Sequence, residues 1–273
     1  MPVDCASDTR DLARTWHAVL GHLQIDLRPP VMCNLYTYKL SRDEIRGLLR
    51  HCRLIGQQWS ELFEREMAGK NDEALVYPKY QAPVVIVRDG TRELAHMGWG
   101  LPAPAPPVVP GEKPKRPGFL TNVRNTRSGH WRNWLAAPAV SIGKDKLSGG
   151  RCIVPATMFA EPDRNTAKPV VNRWFGRADG LPFFFAGVWR EWQGDVGTIK
   201  QPNVGLHRLY ATLTTEPNGT VQPIHDKAMP VLLMTAEDVD VWLNGTLEEA
   251  LKLQKPQADE EIVITAYDEK KAA

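Results

Sequence analysis

After the first 31 residues, the spacing of hydrophobic residues along the chain follows two different patterns. Between residues 41 and 69 apolar side chains recur at helical spacing, after a Ser41 and Glu44 pair that fits a capping box. From Tyr77 onwards they instead form short runs bounded by turn residues, which is typical of strands. These runs occupy residues 83–87, 93–99, 151–161, 183–189, 207–215 and 229–234. The pattern predicts helices followed by a strand-rich body.

One hairpin and one helix can be assigned within this body. Asp89-Gly90 is a turn signal between runs 83–87 and 93–99, so we expect an antiparallel hairpin there. Residues 236–254 have the apolar spacing of a helix. The polar residues 255–273 that follow are expected to form a loosely held tail.

Residues 1–31 are interpreted as an N-terminal extension of a domain that spans residues 32–254. Their apolar side chains also have helical spacing, and Arg28-Pro29-Pro30 would end such a helix. Three interpretations stay open: translation begins at Met32, a prosegment is removed before Cys33, or the extension is a stable helix. Only the first two leave the cysteine with a free amine.

Composition and charge exclude several classes of protein. The 273 residues are 42% hydrophobic and 24% charged, which is ordinary for a soluble domain. No apolar run approaches the roughly 18–20 residues of a membrane span, and a net charge of +2 makes any nucleic-acid binding depend on a local patch. The four cysteines lack a C-x-x-C pair and zinc-ligand spacing. We therefore expect no metal, no cofactor and a reducing, cytoplasmic setting.

Met32-Cys33 carries the most distinctive chemistry. An N-terminal cysteine is a 1,2-aminothiol: its amine forms an imine with an aldehyde, and its sulfur then closes a thiazolidine ring. An internal cysteine cannot do this, because its nitrogen belongs to a peptide bond. From this dipeptide alone, a small buried apolar Cys33 is the better interpretation.

A basic segment lies in the middle of the chain. Residues 113–132 hold six Lys or Arg and no acidic residue, with amides and aromatics between them. Such a mixture suits phosphate contacts and base stacking on a single strand, although an isolated basic run is more often a solvated loop. Its candidate DNA contacts are Arg124, Arg127 and Trp131.

Six short motifs then occur in a recognisable order. They are Met32-Cys33-Asn34-Leu35-Tyr36, Trp99-Gly100-Leu101-Pro102, Asn122-Val123-Arg124, Arg151-Cys152-Ile153-Val154-Pro155-Ala156 with Glu161, Phe185-Ala186-Gly187-Val188-Trp189, and Ile224-His225 with Met229-Pro230. Over residues 32–250 the chain resembles the SOS response-associated peptidase (SRAP) family, abasic-site processing proteins that crosslink to single-stranded DNA. The resemblance implies a single α+β domain in which bent antiparallel β-sheets form a barrel-like body with helices packed outside.

The resemblance also implies roles for individual residues. Cys33 matches the nucleophile, Asn122 a positioning group, Glu161 the acid/base and His225 a second proton carrier. The resemblance gives Trp99 and Arg124 as DNA contacts, and the expected set is completed by Asn34, Arg127 and Trp131. Imine formation must lose water from a carbinolamine, for which a buried carboxylic acid is suited. The alternatives are a turn-capping Glu161, a hydrogen-bonded core His225 and a core Trp99.

Three departures from the family pattern concern DNA gripping. Many members have Gly-Arg where this chain has Asn34-Leu35, and Tyr-Glu-Trp where it has Ala160-Glu161-Pro162. The Asn-x-Arg motif continues with Asn125-Thr126 rather than Ser-Glu. These changes remove an arginine and an aromatic from expected DNA contacts and leave the core chemistry in place.

The expected function is to sense abasic sites in single-stranded DNA and to shield them in a thiazolidine crosslink through Cys33. The family name adds a peptidase activity that exposes Cys33, and an imine intermediate adds a lyase side activity. We expect a monomer in the cytoplasm, associated with the nucleoid and not with a membrane. The competing hypotheses are a thiol peptidase that uses Cys33 and His225 in trans, and a non-catalytic single-strand-binding module.

Overall fold

The computed structural model describes residues 35–39, 74–88, 91–104, 111, 117–136, 140–142, 147–166 and 170–267. The strands are, in chain order, β1 (Leu35–Tyr38), β2 (Ala74–Val76), β3 (Gln81–Arg88), β4 (Thr91–Trp99), β5 (Leu101–Pro102), β6 (Phe119–Leu120), β7 (Asn122–Val123), β8 (Val140–Ile142), β9 (Leu147–Ala156), β10 (Met158–Asp163), β11 (Val171–Arg177), β12 (Phe183–Asp195), β13 (Val204–Thr215), β14 (Met229–Pro230), β15 (Leu232–Leu233) and β16 (Ile262–Thr265). The α-helices are α1 (Gly129–Leu135), α2 (Ala236–Asn244) and α3 (Leu247–Leu251), and Asp259–Glu261 is a 3-10 turn.

Five long strands close into a ring. Antiparallel pairing joins β4 to β3, β3 to β9, β9 to β12 and β12 to β13. A parallel contact between β13 and β4, with Leu209 opposite Gly98, completes the circle. A closed ring leaves these strands without an open edge. The expected α+β class with a barrel-like, strand-rich body is confirmed.

Both faces of the ring are apolar, which explains the continuous hydrophobic runs. On β3, Val84 and Ile86 belong to a cluster with the aromatic residues of β1, β10 and β11. Val85 and Val87 point the other way, into a cluster with α1 and α2. Because side chains alternate along a strand, burial on both sides needs apolar residues at every position.

A second sheet of five strands has the order β16-β11-β10-β1-β2. Its central strand β10 pairs with β1 on one side and with β11 on the other, both antiparallel. The sheet therefore combines the first described strand of the chain with strands from its middle and its end.

Two sequence expectations need correction. The helix expected over 236–254 is two helices, because Gly245 ends α2 and Thr246 starts α3 with its own capping box to Glu249. The tail expected over 255–273 contains the strand β16, which pairs with β11 and buries Ile262 to 1% exposure. The apolar run Ile262–Thr265 is only four residues long, which is too short to predict a strand within a segment that is otherwise polar.

The hairpin prediction is confirmed, since Arg88 of β3 lies opposite Thr91 of β4. The expected helical region 41–69 and the extension 1–31 lie outside the described residues. Among the helices that the structure describes, none combines the length and the apolar character needed to cross a bilayer.

Candidate active site

Strand β10 places Glu161 inside the second sheet. The preceding residue, Ala160, lies opposite Leu35 of β1, and Glu161 lies opposite Arg173 of β11. The Glu161 side chain has 0% exposure. A fully buried carboxyl is uncommon in proteins without a specific role or partner, so Glu161 is not a turn cap at a strand end.

The chain turn that precedes β14 brings His225 to this carboxyl. His225 Nδ1 lies 3.2 Å from Glu161 Oε2 and 2.9 Å from the carbonyl oxygen of Ala228. The imidazole is 2% exposed. The two predicted proton carriers, which are far apart in sequence, are therefore brought into contact.

The hydrogen bonds of His225 determine its tautomer. A carbonyl oxygen only accepts, so the contact with Ala228 requires a proton on Nδ1. Burial lowers the pKa of His225 and the nearby Arg164 lowers it further, while the Ala228 carbonyl raises it. A neutral imidazole then carries its lone pair on Nε2, which is buried and has no hydrogen-bond partner among the described residues. His225 is thus arranged to accept a proton at Nε2.

The lowered pKa of His225 predicts an acid-sensitive contribution to stability. Because the folded pKa lies below the ordinary value of 6.5, the unfolded chain takes up the proton first as pH falls. The contribution is therefore complete above about pH 6.5 and is lost as pH falls towards the folded pKa. We expect the melting temperature of the wild type to fall more steeply between pH 7 and 5 than that of His225→Gln. Parallel curves would contradict a buried, neutral His225.

Asn122 is held in place by β13. It lies opposite Thr212 in the parallel pair of β7 and β13, and it is 8% exposed. Its Oδ1 accepts from Thr212 Oγ1 at 3.2 Å, and its Nδ2 donates to Thr121 Oγ1 at 2.9 Å. These bonds fix the orientation of the amide, which suits a positioning group.

Arg124 connects the Asn122 segment to the chain near His225. Its guanidinium donates to the carbonyl oxygens of Thr215 at 2.7 Å and Lys227 at 2.9 Å, and lies 3.4 Å from a carboxylate oxygen of Glu216. Much of its hydrogen-bonding capacity therefore serves the fold. A contact between Arg124 and the DNA backbone stays a prediction.

The other predicted DNA contacts fall into two groups. Trp99 is 1% exposed, donates from Nε1 to the Thr121 carbonyl at 3.1 Å and stacks on Tyr210, while Trp131 is 6% exposed within α1. Neither indole offers a free face for a base, so the core interpretation of Trp99 is favoured. Arg127 is exposed, and its contact with DNA stays a prediction. The contacts of Asn34 lie outside the described residues.

Cys33 also lies outside the described residues, but the strand that follows it is well placed. Leu35, two residues later, pairs with Ala160 next to Glu161. On the other side of β1, Tyr36 pairs with Val76 of β2. The start of β1 is therefore flanked by the Glu161 strand and by the end of β2.

Sequence reasoning missed an exposed aromatic turn at residues 77–80. Tyr77 and Tyr80 are 38% and 57% exposed, with ring centroids 5.4 Å apart. Between them, Lys79 has a φ of 73° and donates from its backbone to the Trp99 carbonyl at 2.8 Å. The sequence Tyr-Pro-Lys-Tyr, with a proline and a lysine between two tyrosines, could have indicated this turn. It was missed because the strand pattern was taken to begin at Tyr77.

The acidic and imidazole side chains of the site do not form a metal centre of the usual kind. Within the described residues, no cluster of three or more His, Cys, Asp or Glu side chains is arranged to hold a metal ion. Glu161 and His225 are suited to moving protons, and Asn122 to holding a reacting group.

Comparisons with known proteins agree with this architecture. The family model described as SOS response associated peptidase (SRAP) matches residues 32–270. The chain is 29% identical over 164 residues to the abasic site processing protein YoaM of Bacillus subtilis (strain 168), covering 59% of this chain and 61% of YoaM. It is 29% identical over 181 residues to YoqW of the same organism, covering 63% of this chain and 69% of YoqW.

Solved structures show the same fold at low identity. A protein from Bacteroides thetaiotaomicron is 19% identical with a TM-score of 0.60, over 88% of this chain and 95% of that one. A protein from Bordetella bronchiseptica is 21% identical with a TM-score of 0.53, over 85% and 99%. These likenesses concern the fold.

Proposed function

The chain belongs to the SOS response associated peptidase (SRAP) family over residues 32–270, and we propose that it processes abasic sites in single-stranded DNA. In this proposal Cys33 is the first residue of the mature protein and forms a thiazolidine with the abasic aldehyde. The covalent link shields the lesion from strand cleavage. The names of YoaM and YoqW as abasic site processing proteins support the choice of lesion.

The buried Glu161 and His225 pair beside the start of β1 carries the proposal. The two side chains are 3.2 Å apart, and Glu161 follows the residue that pairs with Leu35. Two residues of chain span at most about 7 Å. The closeness of Leu35 to Glu161 along the sheet supports the proposal that an N-terminal Cys33 exchanges protons with this carboxyl and this imidazole.

The first half of the reaction forms an imine. The neutral α-amine of Cys33 attacks the aldehyde carbon at C1′ of the open sugar and gives a carbinolamine. The ordinary pKa of an α-amine, about 8, leaves enough neutral amine at physiological pH. His225 Nε2 takes a proton from the attacking nitrogen, and Glu161 gives a proton to the departing hydroxyl, so that one water leaves.

The second half closes the ring. The Cys33 sulfur adds to the imine carbon and its proton passes to the nitrogen, so the net loss from aldehyde and aminothiol is one water. Asn122 holds the amine or thiol in attack geometry. If a proton is instead removed from C2′ of the imine, β-elimination cuts the strand, which is the proposed lyase side activity.

A free amine on Cys33 is a requirement of this chemistry. Cleavage of the peptide bond before Cys33 would supply it, as would removal of Met32 from a chain that starts there. The small cysteine side chain suits methionine removal by an aminopeptidase, so self-cleavage is one of two routes to the same N-terminus.

The aromatic turn at residues 77–80 supports a single-stranded substrate. Base stacking on exposed aromatic rings contributes about 1–3 kcal/mol per base and needs unpaired bases. Tyr77 and Tyr80 stand one strand away from the start of β1, and Lys79 adds a cation for a phosphate.

We expect Tyr80→Ala to weaken binding of a single strand about tenfold, since one stacked base is lost. The rate of crosslinking at saturating DNA should stay within about twofold, because the proton carriers are untouched. Fluorescence anisotropy with a labelled abasic strand measures the affinity. Leu120→Ala, an exposed apolar residue on β6, is the matched control. An unchanged affinity in Tyr80→Ala would remove the turn from the DNA path.

The experiment that tests the proposed function compares three DNAs on denaturing gels. One single strand carries an abasic site, one carries its tetrahydrofuran analogue, which lacks the aldehyde, and one is undamaged. We expect a covalent band only with the true abasic site. Equal non-covalent binding to all three without a band would favour the single-strand-binding module, and peptide hydrolysis by a chain with a blocked N-terminus would favour the thiol peptidase.

A further inference from the structure

The last described part of the chain contacts the segment that carries Asn122. Gln254 Nε2 donates to the carbonyl oxygens of Arg124 and Thr214, both at 2.9 Å. Its Oε1 accepts from Thr126 Oγ1 at 3.0 Å. One side chain thus holds β13 and the residues just after Asn122 together.

A few residues later the chain contacts the turn that ends at His225. Asp259 Oδ1 accepts from the backbone N–H of Gly219 at 2.6 Å, and the Asp259 carbonyl accepts from Thr220 Oγ1 at 2.9 Å. The same turn supplies the Val221 carbonyl, which accepts from the His225 N–H at 2.9 Å. Two hydrogen bonds therefore connect Asp259 to the backbone of His225: one from Asp259 to the turn, and one within the turn to His225.

Asn218 reinforces this connection from the other side. Its Oδ1 accepts from the Val221 N–H at 3.1 Å, and its Nδ2 lies 3.2 Å and 3.4 Å from the carbonyl oxygens of Gln257 and Ala258. The approach at Gly219 is close: a Cβ there would lie 2.3 Å from Asp259 Oδ2. The contact therefore requires a glycine at this position.

The segment then joins the sheet that carries Glu161. Strand β16 pairs with β11, with Ile262 opposite Arg177 and Thr265 opposite Trp174. Strand β11 in turn pairs with β10, where Arg173 lies opposite Glu161. One continuous stretch is therefore hydrogen-bonded to the segments that carry Asn122 and His225, and it is joined through β11 to the strand that carries Glu161.

We propose that residues 254–265 form a C-terminal clamp that positions Glu161, His225 and Asn122 for reaction, with Asp259 as the positioning residue for His225. This inference rests on the proposed function, because the clamp is defined by its effect on the crosslinking reaction. The three side chains come from distant parts of the sequence. The distances between them in the fold therefore depend on the hydrogen bonds that hold their segments together. Small misplacements of catalytic groups cost large factors in rate, about a hundredfold for 1 Å.

The test uses the full chain and single-turnover crosslinking to a strand with one abasic site. Asp259→Ala removes the acceptor for Gly219, and we expect the maximal rate constant to fall by about tenfold or more. The DNA concentration that gives half the maximal rate should stay within about twofold, because Asp259 is not among the proposed DNA contacts and bonds to Gly219 and Thr220. Asp259→Asn keeps an oxygen at the same place and should restore the rate to within about threefold of wild type.

Two further variants separate positioning from general damage. Asp240→Ala removes an acidic residue that accepts from Asn244 within α2 at 2.8 Å, and it should react like the wild type. Thr220→Val removes a single bond to the Asp259 carbonyl and should slow the reaction about threefold even if Asp259→Ala does not fold.

A maximal rate unchanged in both Asp259→Ala and Thr220→Val would overturn the clamp. So would a loss that Asp259→Asn does not restore. If the wild type itself forms no adduct with abasic DNA, the proposed function fails instead, and the two failures are distinguishable in one set of reactions.

Discussion

Glu161→Gln is expected to slow crosslinking to an abasic strand by a factor of about 10² to 10⁴, the usual range for loss of a general acid or base. The amide has the shape of the carboxyl but cannot give the proton that the departing hydroxyl needs. The contact with His225 Nδ1 at 3.2 Å can persist, since an amide oxygen also accepts. Single-turnover rates at saturating DNA measure the effect.

The matched control for this variant stands two residues away. Asp163 lies on β10, on the same side of the strand as Glu161, and is 3% exposed. Its carboxylate lies 2.9 Å from Arg173 Nε, and this contact holds the pKa of the Asp163 carboxyl below its ordinary value. We expect Asp163→Asn to lose some stability and to keep the wild-type rate constant. Equal rate losses in the two variants would mean that Glu161 acts through the sheet and not through proton transfer.

Cys33→Ala is expected to abolish the stable adduct while keeping the ability to form an imine. The variant retains an α-amine once Met32 is removed, but it has no sulfur to close the ring. Borohydride reduces an imine to a stable amine, so a crosslink should appear in the variant only when borohydride is present. Denaturing gels with and without the reductant measure both products.

The wild type and the tetrahydrofuran strand supply the controls for the cysteine variant. Wild-type protein should give the same adduct with or without borohydride, because ring closure removes the reducible imine. A borohydride-independent adduct in Cys33→Ala would place the covalent link on another nucleophile and contradict the aminothiol mechanism.

Much of the barrel follows from local patterns, because runs such as 183–189 are long enough to be strands and too short for most helices. The closure of the ring does not follow from them. It depends on the parallel contact of β13 with β4, which joins residues more than a hundred positions apart. The strand β16 was missed for a similar reason, since its four residues become a strand only by pairing with β11.

The roles of Glu161 and His225 were predicted from the family resemblance and not from spacing, and the contact between them was not predicted. Motif matches also indicated Trp99, but they cannot tell a core indole from an exposed one, and its burial depends on Tyr36 and Tyr210 from distant strands. The aromatic turn at residues 77–80 is the opposite case. The strand pattern was taken to begin at Tyr77, so the sequence did not indicate that Tyr77 and Tyr80 are exposed.

Intact mass of the purified protein, alone and after mixing with a strand that carries one abasic site, tests the central claim most directly. The account predicts a mature chain whose first residue is Cys33 and an adduct equal to protein plus DNA less one water. A chain that keeps all 273 residues and forms no adduct would contradict it, because Cys33 would then have no free amine.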